Sequence, residues 1–141
     1  MRMAYIAAGV DDSVLRARSA LTVGRSGQFH FSTDLAVATD HAVQLCNAWS
    51  FQIADLEELG RSVQAWGWNM RELREYGGHL DEGKISVPSN VDLQVVVAPD
   101  TSSEGQKALD NARLVFEELE AVVVPYAERQ RVAESALKLV G

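Results

Sequence analysis

From Leu35 onward the apolar positions recur at alternating steps of three and four: Leu35, Ala38, Ala42, Leu45, Trp49, Leu56, Leu59, Val63, Trp66, Met70 and Leu73, with Gln52 the one polar member. Such a heptad seam predicts a helix of about 40 residues, roughly 60 Å long. Gly77-Gly78 closes it, so the first long helix is placed at 34–76. A second seam runs Leu109, Ala112, Phe116, Leu119, Val123, Tyr126, Ala133, Leu137 and Val140, and again it has a single polar member, Gln130. Thr101-Ser102-Ser103-Glu104 reads as a capping box at its start. Pro125 removes a backbone donor, and the valines before it are poor helix formers. Because the seam keeps its phase across Pro125, the pattern predicts a kinked helix over 102–140.

The two seams fit each other as an antiparallel pair. One register sets Gln52 against Gln130, Trp49 against Ala133, Met70 against Ala112 and Trp66 against Phe116. A buried polar pair fixes register, since slippage would strand an amide among apolar side chains. The remaining segments are shorter. Residues 11–23 read as a short helix capped by Asp11, Asp12 or Ser13 and ended by Gly24 and Gly27. Phe29 and Phe31 flank His30, which suggests a short strand at 28–32, and a second strand is expected at Val91–Val97 within a connector at 79–100, after the turn-forming Pro88-Ser89-Asn90. The expected fold class is therefore mainly α. It is a long antiparallel helical hairpin or bundle with heptad seams, a short N-terminal helix and a minor β element, forming one helical domain over 1–141.

Composition narrows the partners. The net charge of −7 argues against nucleic acid and against an anionic membrane surface, because both are recognised mainly by Lys and Arg. A hydrophobic content of 47% is that of a chain able to bury a core. Cys46 is the single cysteine, so no intrachain disulfide can form, and no Cys/His spacing suits zinc. The apolar run in Met1–Ser13 is too short for a signal peptide, and the expectation is a cytoplasmic protein, with signal-less export as the alternative.

Candidate chemistry is sparse. Glu72 and Glu75, with Glu117, Glu118 and Glu120, have the i, i+3 spacing of helical carboxylate metal sites, but all fall outside the seams and point apart. His30, His41 and His79 are scattered, and the glycines lack a phosphate-loop spacing. No catalytic residue, metal ligand or cofactor is assigned. In the hairpin, Val115 and Val122 line an uncovered flank, while Phe51 and Trp68 project outward as large apolar side chains. These four are the interface candidates. The expected function is a non-enzymatic interaction or assembly module that binds a protein partner, first of all a second copy of itself. The alternatives are a small helical metal-dependent enzyme using the surface carboxylates, and an exported or phage-type structural component.

Overall fold

The computed structural model describes residues 1–27, 29–52 and 55–140, and its architecture is not a helical hairpin. Seven strands form one mixed sheet: β1 (Leu15–Val23), β2 (Phe29–Ala38), β3 (Ala42–Ser50), β4 (Gly78–Leu80), β5 (Ile85–Val87), β6 (Asp92–Ala98) and β7 (Val122–Pro125). Their spatial order is β5-β4-β1-β2-β3-β6-β7. Neighbours from β5 to β3 run antiparallel, whereas β6 is parallel to β3 and β7 is parallel to β6. The helices are α1 (Arg2–Ala8), α2 (Leu56–Tyr76), α3 (Ser103–Glu118) and α4 (Gln130–Val140). They cover the sheet from two sides. α2 and α3 pack Val63, Trp66, Met70, Leu109 and Phe116 onto Leu45, Leu93 and Val95. α1 and α4 pack Tyr5, Val132 and Ala136 onto Val37, Cys46 and Val96 on the opposite face. Both sheet faces are thus dry, as parallel pairing requires.

The expected helix at 34–76 is half right. Its second half is α2, where Leu59, Val63, Trp66, Met70 and Leu73 are all buried as the seam predicts, Asp55 caps the start by accepting from the Glu58 N–H, and Gly77 ends it. Its first half is two strands. Apolar residues crowd 35–38 and 42–46, where β2 and β3 bury successive side chains against opposite layers, and so dense a run satisfies any periodic grid. The β-branched and aromatic content (Phe29, Phe31, Thr33, Val37, Val43, Trp49) favours extended backbone. A tight turn at 39–41, closed by the Thr39 N–H donating to the His41 carbonyl, separates the strands.

The 11–23 helix is likewise corrected. Asp11 caps only the single 3-10 turn Asp12–Val14, and β1 follows. The strand expected at 28–32 exists but extends to Ala38, with Gln28 outside the described residues. The strand at 91–97 is β6, with Leu93, Val95 and Val97 on one face as expected. The kinked helix is in fact interrupted. α3 stops at Glu118, Glu120 takes the left-handed conformation (φ 57°), and Val122–Pro125 pairs with β6 before α4 begins. Three consecutive β-branched residues lose too much side-chain freedom in a helix, and a vacant sheet edge gives them an alternative. α3 is capped by Ser102, whose Oγ accepts from the Gly105 N–H at 3.0 Å, one residue later than the expected box.

With the hairpin gone, the glutamine pairing goes too. Gln52 donates to the Pro99 carbonyl at 2.8 Å, and Gln130 opens α4.

Candidate functional site

The sheet forks beside β3. Backbone pairing of β2 with β3 ends at Leu35↔Cys46, while β1 stays paired with β2 out to Val23↔Phe29 and β3 stays with β6 out to Ser50↔Ala98. At the same level Arg18 adopts a left-handed φ of 50°, and the β1–β2 ribbon turns over. Below it, Leu15, Leu35 and Val37 face α1 and α4; above it, Leu21, Val23, Phe29 and Phe31 face α2. Side chains replace the missing ladder. Asp34 Oδ2 accepts from the Ala48 N–H at 2.9 Å, and the Thr33 hydroxyl lies 3.3 Å from Asn47 Oδ1 and donates to it.

α2 roofs the fork and leaves a 310 Å³ cavity, bounded by Phe31, Ser32 and Asp34 from β2, Asn47 and Trp49 from β3, and Ser62, Trp66 and Asn69 from α2. Its apolar wall is an aromatic cluster. Trp49 and Trp66 meet edge to face with centroids 5.4 Å apart, and both touch the fully buried Phe116 at 5.8 and 5.6 Å. The Trp66 Nε1–H, though buried, has no acceptor among the described residues. Asp34 is the one charged residue of the lining.

A second polar region lies where α2, α3 and α4 meet the start of β6, in an open 910 Å³ cleft. Its arginines, Glu118 and Asp92 are already engaged. Arg71 forks onto both carboxylate oxygens of Glu118 at 2.9 and 3.0 Å. Arg74 donates to the carbonyls of Leu119, Ser89 and Val91, and burial pulls its pKa below the ordinary guanidinium value. Beneath them, Gln44 and Gln94 both donate to Asp92, and Gln44 accepts from the Tyr5 hydroxyl. Burial pushes the Tyr5 phenol upward and the adjacent Cys46 thiol up to about 12, so both stay protonated at neutral pH. This corner is a polar strut between layers, without a poised nucleophile.

A third feature is the outer edge of β7. Val122 is 44% exposed there, and the following Tyr126 is 50% exposed beside a groove that it forms with Met3, Ala4 and Ala7 of α1.

The chain is thus a three-layer α/β protein with a forked mixed sheet. No known protein family matches it, and neither a curated protein nor a solved structure does so.

The four interface candidates separate into two pairs. Phe51 and Val115 are buried within the single chain, at 1% and 6% exposure, so neither offers a surface. Trp68 and Val122 remain open at 44% each, although Trp68 also takes the edge of Phe29 at 4.4 Å. Of the glutamates, Glu118 is held by Arg71, and among the described residues no group of three or more His, Cys, Asp or Glu side chains gathers as a metal site would need. Sequence reasoning missed Asp34, Asn47, Tyr126 and Met3. The available signal was Asp34 standing alone in a β-prone stretch, with Thr33 before it.

Proposed function

We propose that the protein is a non-catalytic interaction module that assembles with a second copy of itself through the β7 edge. The observation that carries this reading is the exposed apolar side chain of Val122 on that edge. Val122-Val123-Val124 is an apolar, charge-free strand at the end of the sheet, with alternate backbone groups pointing away from β6. Natural edge strands are normally short, charged or covered. Both edge strands are short and bounded by a charge and a proline, β5 by Lys84 and Pro88 and β7 by Glu120 and Pro125. They differ in what they expose, since Ile85 and Val87 are buried whereas Val122 is open.

Charge favours a copy of the same chain in antiparallel pairing. β7 runs from a flank bearing Glu117 and Glu120, beside the Arg71-paired Glu118, to one bearing Arg129, beside the Glu128–Arg131 pair. Two antiparallel copies would bring each acidic flank toward the other's Arg129, which offsets part of the −7 repulsion. A strand pair alone falls short of the ~1,000 Å² that a stable interface buries. The adjoining groove supplies more, with Met3 at 81% exposure and Tyr126 its aromatic anchor.

Light scattering at micromolar concentration tests this. The wild-type protein is expected at twice the 15.4 kDa chain mass. Val122→Lys, placed at an exposed position, is expected at the single-chain mass with an unchanged circular dichroism spectrum and a melting temperature that no longer depends on protein concentration. A wild-type protein that stays at 15.4 kDa overturns the reading.

A further inference from the structure

The fork cavity is separated from β7 by β3 and β6 and has its own chemistry. Its walls combine the rings of Phe31, Trp49 and Trp66 with one carboxylate, that of Asp34, and no Lys, Arg or His lines it. Asp34 has no ion-pair partner among the described residues. Its Oδ2 is taken by the Ala48 N–H, which fixes the side chain and leaves the other oxygen with its lone pairs. Asn47, whose Oδ1 already accepts from Thr33, and the hydroxyl of Ser62 add neutral polar groups along the wall, so Asp34 remains its one charge. Trp49 stacks on Phe116 and Trp66 meets both rings edge to face, so the rings supply apolar wall beside a single carboxylate, and the two together select for a cation whose bulk is apolar. An anion would meet Asp34 unscreened, and a strongly hydrated metal ion would gain nothing from the rings. A volume of 310 Å³ suits a small molecule.

We infer that the β2–β3 fork is a binding site for a small organic cation, an alkylated ammonium or a guanidinium group, with Asp34 as counter-charge and Trp49 and Trp66 as the aromatic wall. The rim lies where the strands are already apart, so entry requires no break in the sheet ladder. Asp34 then has two tasks, closing the Ala48 donor and facing the ligand.

Tryptophan fluorescence reads the site directly, because two of the chain's three tryptophans line it. Tetramethylammonium and n-butylguanidinium are titrated separately into the full-length protein, each beside a neutral counterpart, tert-butanol and n-butylurea. The expected result is a saturable change with at least one cation, at least tenfold weaker with its neutral counterpart. Whichever cation saturates identifies the headgroup class. Asp34→Asn keeps an acceptor for the Ala48 N–H while losing the charge, and is expected to weaken the cation at least tenfold. The inference is overturned if neither cation saturates, if the neutral counterparts bind as well, or if a folded Asp34→Asn binds the cation unchanged. The neutral comparison is made on the wild-type chain, so it decides the matter even where the variant does not fold.

Discussion

Tyr5 and Cys46 lie together under α1 and α4, and burial raises the pKa of both, the thiol from 9.0 up to about 12. A raised acid pKa means that the folded chain keeps a proton which the unfolded chain gives up. The associated stability is complete below pH 9 and is lost as pH climbs from there toward 12. Each unit of pH in that window costs about 1.4 kcal/mol for each group that titrates only when unfolded. Thermal melts from pH 8 to 10.5 should therefore show a falling melting temperature. Cys46→Ala should lower the melting temperature at pH 8 through the small cavity it leaves, yet flatten the decline above pH 9. Parallel slopes for the two proteins would mean that Cys46 is not the titrating group.

Among the elements, the contact of α2 with α3 depends on Gly67. A Cβ there would stand 2.6 Å from Val115 Cγ1, and a β-branched side chain has little rotamer freedom with which to retreat. Gly67→Ala gains up to about 1 kcal/mol of helix propensity. Overpacking should outweigh that gain and leave a net loss of about 1–2 kcal/mol, readable as a lower denaturation midpoint. A variant at least as stable as the wild type would show that the helices separate freely. The same glycine explains Trp66-Gly67-Trp68: Trp66 turns inward to Trp49, Trp68 outward to Phe29, and the residue between them lets α3 approach. Much of α2 and α3 was legible in the sequence, because each buries one stripe and exposes the rest, so periodicity carries the information. The outer half of β2 could be read from its alternation at Phe29–Phe31, but Leu35–Ala38 and β3 could not, since there successive residues are buried against opposite layers. β7 was disguised in a different way. Its valines continued the phase of the α3 seam, and only their branching, together with the left-handed Glu120, marks the break.

At the scale of the whole molecule, the decisive pairings are distant in sequence. β3 pairs with β6 from Gln44↔Asp92 to Ser50↔Ala98, across α2 and the β4–β5 hairpin, and no local pattern announces such a partner. The fork was illegible for the same reason. Trp49 and Trp66 read as two members of one seam, whereas they meet edge to face from a strand and a helix, beside a cavity that Asp34 completes. What the sequence did carry is the excess of outward apolar surface, and the fold relocates it. Phe51 and Val115 turn inward, while Met3, Val122 and Tyr126 remain exposed, at the edge of β7 and beside the adjoining groove. Assembly through that edge is the central claim, and amide hydrogen exchange tests it residue by residue. On going from sub-micromolar to tens of micromolar protein, exchange in 121–126 should slow markedly, while the β5 edge at 85–87 exchanges at the same rate. Exchange in 121–126 that is independent of concentration would contradict the account.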